Sequence, residues 1–346
     1  MVLPVITQMS TSFKLATWHW HIEISSRCTL KCPRCARQEC PTTLINTELN
    51  LDFFKRNFTK KFIIENVNKI TFCGDDGDPI YAPDLIPVIQ YFKSIKSTIE
   101  FVIVTNGSYR KSKWWKELAE TLTSNDHIHF SIDGYNNESN NLYRVNSDFD
   151  SIIKGIKVIT SHSLCLTTWA CIVFKFNQQH LEWMEVQAKT LDMDFFQITH
   201  STKFGSVYPA YGDKDPLEPD KKYVSDSDRF TRTIKALSGR RAPVPSNFYY
   251  DNRKSFDDIT PLCGIGNKGT FINSQGLLFP CCWVANRYSH NNEWLVLAQN
   301  FNLYERTLDD VLNDEFWRDE FIKFKWQECQ TKCKSCLVDR NYGTEW

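Results

Sequence analysis

Cys28, Cys32 and Cys35 fall together in "RCTLKCPRC", and their spacing, C-x3-C-x2-C, suits a chemistry that no single thiolate performs. Three thiolates on one short loop can each hold an iron of a [4Fe–4S] cube, and three ligands for four irons leave one iron open. A small molecule carrying an amine and a carboxylate could chelate that iron and receive an electron from the cluster. Half of a zinc site is the alternative, because zinc also takes Cys ligands at short spacing and would be closed by Cys40 or a His.

The elements that must position this loop follow from hydrophobic periodicity. "HWHIEIS" alternates, with Trp20, Ile22 and Ile24 on one face, and predicts a strand feeding straight into the cysteines. A helix is predicted over Asp52 to Phe62, then "NKITFCG" as strand two, a helix carrying Val88, Ile89, Phe92 and Ile95, and "IEFVIVTNG" as a buried strand three. A helix with Trp115, Leu118 and Leu122, the strand "HIHFSIDG" and a helix with Phe149, Ile152, Ile153 and Ile156 come next. "TTWACIVFKF" is predicted as strand five, Asn177 as the cap of a helix through Leu181, Met184, Ala188 and Leu191, and "DFFQITHS" as strand six. Six such alternations predict an α/β fold with a parallel sheet and right-handed crossovers, too few for a closed eight-stranded barrel. The expectation is therefore a partial (β/α)6 TIM-like barrel with function at the carboxyl ends of its strands.

Four regions are expected: a leader over 1–17, the partial barrel over 18–201, a bridging region over 202–260 with a helix near Ser227 to Leu237, and a small α+β domain over 261–346. The last opens with a hairpin, "GTFINSQGLLFP", turning at Gln275 and Gly276, followed by a helix from about Leu308 to Phe324 and a Cys-rich end.

The cysteine spacing on a loop after strand one resembles the radical S-adenosylmethionine (SAM) superfamily. In that family SAM occupies the open iron, its sulfonium is reductively cleaved, and a 5′-deoxyadenosyl radical abstracts a substrate hydrogen. The resemblance implies that Cys28, Cys32 and Cys35 hold the catalytic cluster. "CGDDGDP" stands where the family has its GGEP motif, so Gly77 and Asp78 would meet the SAM amino group, with Asp76 replacing the first glycine and Asp78 the glutamate. "FSIDG" resembles the ribose-binding strand end, which points to Ser131 and Asp133, and Arg144 would pair with the SAM carboxylate. Arg34 stands where the family usually has an aromatic residue near the adenine. Thr105, with Asn106, Lys175 and His200 are candidates for the substrate side. Each of these polar residues has a structural alternative as a cap, a turn or a surface pair.

The order Cys263, hairpin, Cys281 after Pro280, helix, then Cys333 and Cys336 as CxxC resembles the twitch domain, a shortened SPASM domain, which implies one auxiliary [4Fe–4S] cluster. Cys282 and Cys329 are competing ligands, and a zinc ribbon on the same four cysteines is the alternative. The expected activity is hydrogen abstraction followed by net oxidation or bond formation, with the auxiliary cluster as electron acceptor and an external donor such as flavodoxin or ferredoxin.

Composition narrows the partners. Lys+Arg and Asp+Glu are equal at 41 each, so no global field favours nucleic acid or an anionic membrane. No secretory leader opens the chain, and its apolar runs fall short of a membrane span, so 13 cysteines point to metal chemistry in a reducing cytoplasm rather than to disulfides. Without room before strand one for a peptide-recognition domain, a small molecule is the expected substrate. Modification of a ribosomal peptide or protein side chain is the alternative, and a zinc-stabilised binding protein without turnover is the rival of another class.

Overall fold

A computed structural model describes residues 18–39, 44–201, 204, 215–223, 231–240, 270–279, 282–285 and 298–317. The expected leader, Cys40, Cys263, Cys281, Cys329, Cys333 and Cys336 lie outside these residues. The expected strands appear as β1 (Trp18–Ile22), β2 (Val67–Phe72), β3 (Glu100–Thr105), β4 (His127–Ser131), β5 (Leu166–Ile172) and β6 (Phe195–His200). Each pairs in parallel with the next, within a nine-stranded sheet.

One face of that sheet carries Trp20, Phe72, Phe101, Phe130, Trp169 and Phe196, all buried in the main core. Against it pack α4 (Leu85–Ile95), α5 (Ser112–Thr121) and α7 (Phe149–His162) through the residues that helical spacing singled out, with α8 (Leu181–Thr190) beside β6. The short α6 (Asn137–Asn141) links β4 to α7. The other face of the sheet is polar. His19 meets the Thr71 hydroxyl at 2.6 Å, His127 meets Thr168 at 2.7 Å, and His21 donates to the Cys73 carbonyl at 2.8 Å.

Four departures from the sequence reading have physical causes. The helix expected over 52–62 is two helices, α2 (Leu51–Asn57) and α3 (Lys60–Asn66), because Thr59 caps the second and the break seats Phe58 and Phe62 on Trp20 at 5.2 and 5.7 Å between ring centroids. The helix expected near Ser227 to Leu237 is instead β7 (Thr231–Ala236), antiparallel to β6, since Thr231, Thr233 and Ile234 are β-branched and favour a pleated edge. Strand five ends at Ile172, so Lys175 follows it rather than lying within it. Asn177 does not cap α8, whose N-cap is His180; its buried side chain donates to the Asp133 and Ile172 carbonyls.

The hairpin forms as read, β8 (Phe271–Ile272) and β9 (Leu278–Phe279), with Gly276 at φ +78° where only glycine turns cheaply. It does not stand apart, because β8 pairs in parallel with β1 and extends the main sheet. Behind it, Asn57 donates to the Leu303 carbonyl and accepts from the Leu308 amide, fixing the start of a short helix at Leu308–Leu312.

The strand order β7-β6-β5-β4-β3-β2-β1-β8-β9 leaves the described sheet unclosed. It nevertheless curls. A flat sheet would separate β7 from β2 by roughly 24 Å, yet the Arg232 charge on β7 bears on His129 in β4 and on Cys73 after β2. The polar faces therefore turn towards one another around a lumen, as in a partial barrel.

Asp126, fully buried ahead of β4, accepts from the Phe101 amide at 2.8 Å and the Thr123 amide at 2.6 Å and pairs with Lys93 at 2.7 Å. Asp126→Ala strands the two buried amides and removes the partner of Lys93, and is expected to cost about 3 kcal/mol in urea denaturation.

Candidate active site

The alternation that buries Ile22 and Ile24 in the core turns Glu23 to the polar face, where it is only 3% exposed. A buried carboxylate needs donors, and Glu23 takes them from two other segments. Its Oε1 accepts from the Asp76 amide at 2.7 Å and the Gly77 amide at 3.3 Å, and its Oε2 accepts from the Ser274 amide at 3.3 Å. The turn after β2 and the hairpin turn are thus both pinned to the end of β1. Gly77 is obligatory here, because a Cβ would stand 1.9 Å from the Ser25 carbonyl oxygen.

Beyond Glu23 the chain runs over the barrel mouth. Cys32 and Leu30 are buried with Tyr143, Phe174 and Leu217, and Cys28 and Cys35 pack against the same nest. The Cys35 amide donates to the Cys32 carbonyl at 3.1 Å, a turn leading into α1 (Ala36–Glu39). Lys31 is tied to the Val145 carbonyl at 2.9 Å, Thr29 to Asn146 at 2.7 Å, and Arg37 reaches back to the Ser26 and Asp76 carbonyls. Burial raises the Cys28 thiol to about 12, helped by Asp78, and the Cys32 thiol to about 11; Cys35 is also raised by burial. The thiols raise one another too, as close neighbours must.

Around this loop stand most of the expected partners. Both oxygens of Asp78 are committed within the chain: Oδ1 accepts from the Thr105 hydroxyl and the Ile80 amide, Oδ2 from the Asn106 amide and side chain, at 2.5 to 3.1 Å. The carboxylate thus joins the ends of β2 and β3, and burial still lifts it to about 6. Asn106 Nδ2 also points at Cys28 Sγ, 3.6 Å away. Asp133, fully buried, accepts from the Ile172 amide at 2.7 Å and from Arg144 Nε at 2.6 Å. Burial disfavours the Arg144 charge, but Asp133 and Cys32 more than restore it.

Arg34 is buried in an ion pair with Asp215, and Ser131 is half-buried at the end of β4. Thr105, buried at the end of β3, donates its hydroxyl to Asp78 at 2.8 Å. Lys175 is exposed beyond β5, and His200, half-buried at the end of β6, is pushed down by burial; neither reaches the cysteine loop through a described contact. Sequence reasoning missed Glu23, whose signal was a lone carboxylate in an apolar alternation, and Asp215, which carried no local signal at all.

Residues 22–184 match the family model described as "Radical SAM superfamily". That stretch, which holds Cys28, Cys32 and Cys35, is what the chain shares with the radical SAM superfamily. It is 22% identical over 331 residues, 95% of this chain and 67% of the relative, to the antilisterial bacteriocin subtilosin biosynthesis protein AlbA of Bacillus subtilis strain 168. Among solved structures it resembles Streptococcus suis SuiB bound to S-adenosylmethionine, with TM-score 0.59 and 16% identity over 94% of this chain and 71% of that one. It also resembles anSMEcpe with bound AdoMet, with TM-score 0.54 and 19% identity over 91% and 83% of the two chains. At these identities the structural likeness speaks for the fold, an α/β sheet consistent with a partial TIM barrel. The match implies a radical SAM enzyme with a [4Fe–4S] cluster and SAM. No helix among the described residues is long and apolar enough to cross a membrane.

Three soft, free thiols on one apolar nest, Cys32 buried and Cys28 and Cys35 half-buried, are a donor set that fits an iron–sulfur cube. Their raised affinity for protons means that only bound cations would keep all three as thiolates near neutrality.

The buried acids and imidazoles around the lumen oppose each other on acidification. Burial lowers His21 to about 4 and His129 well below its usual value, so their contributions are present above about 6.5 and lost as pH falls. Burial, with Asp76 beside it, raises Glu23 to about 7, so its contribution is full below the ordinary carboxylate range and lost as pH rises through 7. Glu23→Gln removes that loss. Its stability relative to wild type is expected to improve by on the order of 3 kcal/mol between pH 4.5 and pH 8, measured on the metal-free chain by urea denaturation.

Proposed function

We propose that this radical SAM enzyme modifies a peptide, with Cys28, Cys32 and Cys35 as the ligands of its catalytic cluster. The observation that carries the ligand assignment is the gathering of these thiols in one buried nest beside Arg144 at the carboxyl ends of parallel strands. A cube gives each thiolate its own iron, which favours it over zinc at this loop.

When bound, the cluster and SAM would supply the one-electron cleavage that yields a hydrogen-abstracting radical. The chain's own residues do the placing. Arg144, oriented by Asp133, offers a half-buried cation for the SAM carboxylate. Asp78 holds Asn106 and Thr105 in position beside Cys28, and the clamped backbone at Gly77 gives the cofactor's polar end a fixed wall. Ser131 remains a candidate for the ribose side.

The relatives move the substrate away from the small molecule expected from the sequence. AlbA is named for synthesis of a bacteriocin, SuiB is seen bound to the precursor peptide SuiA, and anSMEcpe is seen with AdoMet and the Cp18Cys peptide. A peptide substrate, delivered to the lumen formed by the polar faces of β1 to β7, is the reading these support. We further assign Cys263, Cys281, Cys333 and Cys336 to an auxiliary [4Fe–4S] cluster that accepts an electron from the substrate, and the first electron to an external donor such as a flavodoxin or ferredoxin. The domain limits read from the sequence, 18–201 and 261–346, are part of this proposal.

Anaerobically purified protein is expected to carry about eight irons with matching sulfide, to form 5′-deoxyadenosine when given SAM and dithionite, and to lose both the cofactor cleavage and about half its iron when Cys28, Cys32 and Cys35 are replaced by Ala. Stoichiometric zinc without iron would end the enzyme reading of these sites. A peptide encoded beside the gene that gains no mass change under these conditions, while a small molecule does, would return the substrate to the earlier expectation.

A further inference from the structure

The loop that carries the cysteines is gripped by a distant part of the chain. Arg34, between Pro33 and Cys35, has a side chain only 3% exposed, paired with an Asp215 side chain that is fully buried. Its guanidinium also lies over the Phe204 ring, 4.9 Å from the centroid. Asp215 spends its other oxygen on the Leu217 amide at 3.0 Å, and Leu217 packs in the nest with Cys32. The same segment is held from behind, since the Lys175 amide donates to the Leu217 carbonyl at 3.0 Å and Gln178 and Asp220 exchange two hydrogen bonds of 2.7 and 2.8 Å. A stretch located between β6 and β7 in sequence thus forms a wall of the cysteine nest, and an ion pair joins the two.

We propose that Arg34 and Asp215 are positioning residues for the catalytic cluster: their pair clamps the 215–223 segment onto the cysteine loop and presents it to the cluster with no net charge. The inference rests on the assignment of Cys28, Cys32 and Cys35 as ligands. Two full charges taken out of water are a costly way to join two segments, and apolar residues of similar volume would hold them at least as well. What an ion pair adds is a cancelled field and a fixed register. An uncompensated cation beside an iron–sulfur cluster stabilises its reduced, more negative state, and an uncompensated anion does the opposite, because net charge and solvent exposure set such potentials. With both present, the position holds an electrically neutral pair, buried beside the Phe204 ring.

The pair therefore has a signature that simple damage to the fold does not share. The full-length chain is reconstituted anaerobically, and the midpoint of the cluster whose EPR signal changes on adding SAM is found by redox titration. Asp215→Asn removes one negative charge beside the loop and is expected to raise the midpoint; Arg34→Gln removes one positive charge and is expected to lower it. The double variant R34Q/D215N restores neutrality, so its midpoint returns to the wild-type value while its signal decays faster in air, the clamp being weaker. Single variants that shift in the same direction, or not at all, overturn the proposal. If neither single variant folds, the double variant decides: a displaced midpoint, or a cluster as durable in air as the wild type's, overturns it. A wild type with no iron–sulfur signal would overturn the ligand assignment and the clamp with it, whereas same-sign shifts in an iron-loaded wild type overturn the clamp alone.

Discussion

A carboxylate buried at the end of a strand has to be satisfied by whatever backbone comes near, and Glu23 makes that necessity the organising contact of this molecule. Its oxygens reach the turn after β2 and the turn of the hairpin from one point beside β1. The residue directly follows β1 and stands five before Cys28, so what it fixes is the direction in which the cysteine loop leaves the sheet. The close pass of Gly77 over Ser25 follows from the same demand, as does the inward tilt of the 74–78 segment that brings Asp78 against Thr105 and Asn106.

Asp78 and Asp133 show a shared logic. Both stand where the family resemblance would have them touch SAM, and both are consumed by neighbouring chain: the first by the end of β3, the second by Arg144 and the end of β5. Such acids act through the residues they orient, and the group left facing the nest is the Arg144 cation. Preorganisation of this kind is what a protein contributes when its cofactor performs the difficult chemistry.

The strands, the flanking helices and the mouth where the candidate residues gather were legible because each shows in a short window: alternation along β1 and β2, an apolar run along β3, and a period of three to four along α4, α5 and α7. Reading failed where tertiary contacts overrode local pattern. Phe58 breaks a helix to reach Trp20; Thr231 to Ala236 are drawn into a strand by β6; Asn177 leaves a cap to serve Asp133. The Arg34–Asp215 pair was beyond reach, since its members stand 181 residues apart with nothing nearby to announce them. The expectation of a small-molecule substrate had no site residue behind it, and the relatives seen with peptides weigh against it.

The pairing of β8 with β1 gives the molecule a history on the ribosome. One hydrogen-bonding edge of β1, the strand that delivers the cysteines, finds its partner only in Phe271 and Ile272 among the described residues. At about 5 to 20 residues per second, the nascent chain exposes that edge for roughly 10 to 50 seconds while the intervening residues are made. An open strand edge is a template for wrong partners during that interval. Completion of the strand that leads into the cysteine loop is thereby tied to synthesis of most of the polypeptide, and stalled or shortened products would display β1 with one edge open.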